Sequence, residues 1–372
     1  MPGRGTTVSS GNHFFSSHEA KQEDRPHQTF MPDGDVDVNT RTPVALIIFR
    51  RADNTKRVFE RIAQAKPPKL FIYADGPSPS RPGEAEKCAA ARAVVEQISW
   101  DCEVVRDYSA TNMGPWKRIA TGITAAFKEV DELIILEDDC LPDPTFFRFC
   151  DELLERYRHD ERVMHIVGNH LHPTSPRPIP HSYSFTWHNI AWGYATWRRA
   201  WQHFDLSVPV WPQLRETDFL EQIVKNPVAV ESYRKIFNSL HDNPGEFDGY
   251  DWAWSFACWS QGGLSILPDT TMVQNIGFDP DSTHFVGCEK DPRAAMVAAP
   301  MQFPLRHPPY VLRDRAADDY LIDTYWDPKT PPLSRYRKFR QAVGGLLPPR
   351  IRRTGSKWLS GVEAAARFTA NR

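Results

Sequence analysis

A chain of 372 residues, 41% apolar and 25% charged, holds enough material for one large globular domain or two ordinary ones. Its formal net charge of −2 excludes a global electrostatic grip on nucleic acid. No run approaches the roughly 18–20 consecutive apolar residues of a membrane span, and the polar start lacks the apolar core of a secretory signal.

Residues 1–41 are polar, rich in Gly, Ser and His, and aperiodic, which predicts a disordered tail. Val44-Ala45-Leu46-Ile47-Ile48-Phe49 is a continuous apolar run of the kind a buried parallel strand shows. Asp53 or Asn54 can cap a helix from Thr55 to about Ala65, which Lys66-Pro67-Pro68 ends. Leu70 to Ala74 reads as a second strand, Glu84 to Glu96 as a helix and Cys102 to Arg106 as a third strand. A helix from about Lys117 to Phe127 follows, then a fourth strand over Leu133 to Leu136, a helix from Thr145 to Tyr157 and a fifth strand over Val163 to Val167. This alternation predicts an α/β layer with a mostly parallel sheet flanked by helices. Beyond Gly168 the pattern becomes aromatic and proline-broken, which predicts loops and short helices packed over the sheet. Most of the 12 Trp lie between Trp187 and Trp259, as core or as flat surfaces for sugar rings.

Ligands of open α/β sheets sit beyond the carboxyl ends of the strands. Asp75 occupies that position after the second strand, and Glu137-Asp138-Asp139 after the fourth. Three consecutive carboxylates at the end of a buried strand are costly without a cation or hydrogen bonds. Their oxygens suit Mn²⁺ or Mg²⁺, which substrate phosphates then complete. The plain alternative is an exposed acidic turn.

The segment IILEDDCLPDPTFFRFCDELLERY resembles the metal-binding stretch of GT-A glycosyltransferases, the Asp-x-Asp enzymes. More narrowly it is similar to the N-acetylglucosaminyltransferase I group and its bacterial relatives, over residues 43 to 286. The resemblance implies a GT-A, Rossmann-like nucleotide-diphospho-sugar transferase fold with an irregular, aromatic-rich acceptor half. It implies Asp139 as direct metal ligand, with Glu137 and Asp138 near the ribose and the metal's water shell. It implies Arg51 as a basic contact to the nucleotide, Asp75 as the acid reading the nucleobase edge, and Lys117 bordering the nucleotide. Phe247-Asp248-Gly249-Tyr250-Asp251-Trp252 resembles the base-bearing segment of the family, with Asp251 as proposed base. Tyr250 stands where the family places an acid, which leaves Asp248 as a rival. Trp192 to Trp197 resembles a segment lining the acceptor cleft. Asn275 to Phe278, with Ser282-Thr283-His284, resembles a closing loop whose His284 can touch the diphosphate.

Glycosyl transfer passes through an oxocarbenium-like transition state while charge builds on the leaving diphosphate. A metal acid and a separate base acid are then both needed, and Asp139 and Asp251 supply that pair for an inverting transfer. The expected donor is a UDP-linked sugar, with GDP and other nucleotides open. The expected acceptor is a carbohydrate or lipid-linked hydroxyl in surface polysaccharide or glycoconjugate synthesis. A sugar-1-phosphate nucleotidyltransferase is disfavoured because FRRADNTKR, after the first strand, has no glycine to cradle a triphosphate. An inactive sugar-binding protein is disfavoured by the full acid set.

The domain division expected from sequence is a tail over 1–41, a transferase domain over 42–309 and a C-terminal extension over 310–372. The domain's nucleotide half runs over 42–168 and its acceptor half over 169–309. The extension is basic and amphipathic from Arg335 to Arg372, which suits peripheral contact with an anionic membrane surface. Six cysteines without zinc spacing read as free thiols, and with no leader they point to the cytoplasm.

Overall fold

A computed structural model of the protein describes residues 39–170, 180–244, 249–278 and 295–326. The first half alternates β1 (Val44–Ile48), α1 (Ala52–Ala65), β2 (Lys69–Ala74), α2 (Glu84–Val94), β3 (Glu103–Tyr108), α3 (Pro115–Ala126) and β4 (Glu132–Glu137). A short β5 (Cys140–Pro142), then α4 (Thr145–Arg156) and β6 (Val163–Val167), complete it. Every element predicted from periodicity in this half forms. Helix α1 begins three residues before Thr55, so Asp53 lies inside its first turn and Arg51 stands at its N-cap. Lys66 adopts a left-handed conformation (φ 44°) and its N–H donates to Ile62 O, which closes the helix ahead of the two prolines.

The strands are continuously apolar because both faces of the sheet are covered. Val44, Leu46 and Ile48 point into one core cluster with Ile134, Leu136 and Phe146. Ala45 and Ile47 point into another with Phe71, Ile135 and Trp254. The period of two thus persists in the packing although it is invisible in hydrophobicity.

The chain beyond Gly168 departs from the expected cover of loops and short helices. β7 (Tyr183–Thr186), β8 (Tyr194–Trp197) and β9 (Leu264–Pro268) enter the main sheet, and β10 (Val273–Asn275) pairs antiparallel with β5. The eight-stranded order is β3-β2-β1-β4-β8-β6-β9-β7. Strands β3, β2, β1 and β4 are parallel, and β8 runs antiparallel between β4 and β6. β6 and β9 are parallel, with β7 antiparallel on the edge. Four- and five-residue strands broken by proline are too short to show a period. Helices α5 (Arg198–Trp201), α6 (Trp211–Leu214), α7 (Phe219–Ile223), α8 (Pro227–Asp242) and α9 (Tyr250–Ser260) follow β8. Trp211, Tyr233, Phe237, Trp254, Phe256 and Trp259 from this stretch are buried.

Helix α10 (Arg315–Trp326), from the segment assigned by sequence to the extension, packs on this body. Its Asp318 accepts from Thr186 Oγ1 and Trp187 N–H of the β7 end, and Ile322 is buried. The architecture is α/β, a mostly parallel mixed sheet flanked by helices, consistent with a GT-A-like fold. Among the described residues no helix is long and apolar enough to cross a membrane, and the basic Arg335–Arg372 segment lies outside them.

Candidate active site

The chain leaves β1 toward β2 and β3 on one side, then returns to β4 on the other side of β1. The crevice at the carboxyl ends of β1 and β4 is therefore a topological switch point, where open sheets bind ligands. Ile47 of β1 is in register with Glu137 of β4, so the residues just after them must meet. Arg51 Nη2 donates to Asp138 Oδ1 and, at 2.8 Å, to Asp139 Oδ2. Phe49 N–H donates to Asp138 Oδ2 at 3.3 Å.

Asp138 is buried, and Arg51, Glu137 and Asp139 are half-buried. Burial first, then the charge of Asp139, pushes Glu137 up to about 8. Burial pushes Asp138 up to about 6 against the pull of Arg51. Burial alone would lower the Arg51 guanidinium, but Asp138 and Asp139 more than offset it and hold it charged. Three acids crowd around one guanidinium, so Glu137 and Asp138 hold protons more readily than free carboxyls, and a further cation there would draw those protons off.

A second layer closes over the acids. Asn275 of β10 pairs with Cys140, and Ile276 N–H donates to Asp139 O at 2.8 Å. Asn54 Nδ2 reaches Ile276 O at 3.4 Å, and Gly277 N–H donates to Asn275 Oδ1 at 2.7 Å. A Cβ on Gly277 would lie 2.2 Å from Asp139 Oδ2 and 2.8 Å from Arg51 Nη1. A side chain at 277 would require the Asp139 carboxylate, the Arg51 guanidinium or the turn itself to shift.

Among the described residues no group of three His, Cys, Asp or Glu side chains is arranged to hold an ion unaided. An Mg²⁺-type ion does not need one, since one or two carboxylates with waters and substrate phosphates complete its shell. The all-oxygen donors, three acids around a single guanidinium, fit such an ion.

The other predicted residues are dispersed around this centre. Asp75 ends β2 and is buried. Its Oδ1 accepts from Gly76 N–H and Met113 N–H, both at 2.8 Å. Its Oδ2 accepts from Gly114 N–H at 3.0 Å and Asn112 Nδ2 at 3.2 Å. The carboxylate thus pins the loop leading into α3. Lys117 is exposed in the first turn of that helix. Asp251 is half-buried in the first turn of α9. Its neighbour Tyr250 donates its phenol hydrogen to Glu137 Oε1 at 3.1 Å, which brings the start of α9 to the acids. Asp248 and His284 lie outside the described residues.

The Trp192–Trp197 segment divides between two roles. Trp192 stands at the sheet edge, edge-on to Phe278 with ring centroids 6.1 Å apart. Trp197 is core, and its indole N–H donates to Leu154 O. Trp254 is buried and donates to His165 Nδ1 at 3.0 Å. Sequence reasoning missed the parts played by Tyr250, Asn54 and Gly277. The only signal for Tyr250 was its departure from the acid expected there.

No protein-family model matches the chain, and no curated protein matches it. Among solved structures, the mannosyltransferase PcManGT from Pyrobaculum calidifontis, in complex with GDP-Man and Mn²⁺, is similar at 15% identity and a TM-score of 0.31. That match covers 45% of this chain and 48% of that one. TarS 1–349 from S. aureus is similar at 9% identity and a TM-score of 0.35, over 62% of this chain and 60% of that one. The chain thus spans less than two thirds of the length of either.

Proposed function

We propose that the protein is a metal-dependent glycosyltransferase that moves a sugar from a nucleoside diphosphate onto an acceptor hydroxyl. The observation that carries this reading is the meeting of Arg51 with Asp138 and Asp139 at the switch point, beside Glu137 and under Gly277. Asp139 holds Mn²⁺ or Mg²⁺, with Asp138 and Glu137 near its water shell and the ribose. When bound, the ion supplies Lewis-acid stabilisation to the charge of the departing diphosphate. Arg51 offers a planar fork suited to phosphate oxygens. Asp75 keeps the loop before α3 against the nucleotide, and Lys117 borders it.

Asp251, at the start of α9, takes the proton from the acceptor hydroxyl as that oxygen attacks the anomeric carbon. Attack opposite the leaving group inverts the anomeric configuration. The resemblance favours a UDP-linked hexose or N-acetylhexosamine as donor. A carbohydrate or lipid-linked acceptor of a surface polysaccharide is the matching partner. The basic C-terminal segment suits work at the inner face of a membrane.

A thermal-shift screen of nucleotide sugars with and without Mn²⁺ tests the reading, because a ligand that binds the folded state stabilises it by mass action. A Mn²⁺-dependent rise in Tm with one class of nucleotide sugar is expected. Asp139→Ala is expected to abolish both that rise and transfer while the unliganded Tm changes little. Unchanged donor affinity in Asp139→Ala with Mn²⁺ present would reject Asp139 as the ligand.

A further inference from the structure

We propose that Tyr250 is a positioning residue that ties Glu137, on the nucleotide side of the cleft, to the helix start carrying Asp251. The inference rests on the glycosyltransferase reading and adds to it a residue that the resemblance does not supply.

The phenol is 6% exposed, so its hydroxyl needs a partner inside the protein. The partner is Glu137 Oε1 at 3.1 Å, across 113 residues of sequence. Glu137 is the last residue of β4, and Tyr250 is the first of α9. Gly249 occupies the N-cap and supplies no side-chain hydrogen bond to it. Asp251 follows directly in the first turn. One hydrogen bond therefore sets the carboxylate of Glu137 and the placement of the Asp251 backbone together. An acid at position 250 would put a second buried negative charge against Glu137, Asp138 and Asp139. A phenol instead donates to them, and burial with the neighbouring charge of Glu137 keeps it protonated.

A double-mutant cycle on the full-length protein separates this role from packing. Tyr250→Phe keeps the ring and removes one oxygen. It is expected to weaken binding of UDP with Mn²⁺ about tenfold and to lower kcat by at least as much. In a Glu137→Leu background, where the bond to the acid is gone, the same change is expected to lose most of its effect on both. If Glu137→Leu does not fold, Glu137→Gln takes its place, and its weaker neutral acceptor should shrink the Tyr250→Phe penalty. An equal penalty in every background, or none in any, overturns the positioning role while leaving the enzyme reading intact. Failure of the unaltered protein to bind any nucleoside diphosphate with Mn²⁺ overturns both.

Discussion

Removing Arg51 would leave Asp138 and Asp139 in a poorly solvated site without their shared counter-charge. Breaking such a pair from one side costs on the order of 3 kcal/mol, because the remaining charges stay buried. Arg51→Met should therefore lower the urea-unfolding free energy by about that much in EDTA. Excess Mn²⁺ should restore part of it by supplying a cation at the same place. A loss that Mn²⁺ leaves untouched would mean that no ion enters between these acids. Asp251 poses the complementary question at the acceptor side. A general base contributes roughly 10²–10⁴-fold to the chemical step, so Asp251→Asn should depress kcat by about that factor with nucleotide binding near normal. Asp248→Asn should do much less, and the reverse result would move the base three residues upstream. The acids were legible in sequence because they stand at the ends of apolar strands, where the topology gives the position a meaning, whereas Arg51 was marked only by the family resemblance. The part of Tyr250 was not legible, because it depends on a contact between β4 and the start of α9.

Elements carry the site through close approaches that no local pattern announces. The turn after β10 is the tightest of these, with Gly277 against Asp139 and Arg51. Gly277→Ala should push the turn off the acids and cut Mn²⁺-dependent nucleotide binding about tenfold or more, with little change in unfolding free energy. Normal nucleotide binding in this variant would show that the turn can move away at no cost to the site. Below the site, β6 and α9 are joined by a buried polar relay. His165 Nδ1 accepts from Trp254, which leaves Nε2–H to donate to Ile190 O. Burial lowers His165 to about 3. Its value in the unfolded chain is near 6.5, so the unfolded state binds the extra proton between those limits. Stability from this residue is therefore fully present above about pH 6.5 and falls as pH drops toward 3, by about 1.4 kcal/mol per unit. His165→Gln can keep one acceptor and one donor but does not titrate. Between pH 6.5 and 5 its unfolding free energy should fall about 2 kcal/mol less than that of the unaltered protein. Parallel slopes would contradict a neutral, buried His165. The parallel half of the sheet was readable as continuous apolar runs, whereas β7 to β10 were not. Their side chains make sense only once β8 is seen inserted between β4 and β6.

At the scale of the whole molecule the open question is where the folded body ends. Composition turns polar after Pro309, which is why sequence places the boundary there. The contacts run further. Arg313 Nε donates to Asp318 Oδ2 and its Nη2 to Ile223 O, while Asp314 N–H donates to Phe185 O. Asp318 is 2% exposed and also accepts from Thr186 and Trp187, so α10 is latched to the β7 end by the hydrogen bonds of a buried carboxylate that Arg313 also pairs. Polar composition does not announce the latch, because it is itself made of polar and charged side chains, which hydropathy counts as surface. A helix held this way should unfold with the sheet and not before it. Its amides should then exchange with protection comparable to those of β7 and β9. Asp318→Ala strands Arg313 without its partner and should cost about 3–5 kcal/mol in a single unfolding transition. Fast exchange across α10 with an unaltered global transition in Asp318→Ala would return the boundary to residue 309. Loss of α10 protection together with destabilisation of the sheet would place residues 310–326 inside the folded body, where α10 packs against α8 and β7.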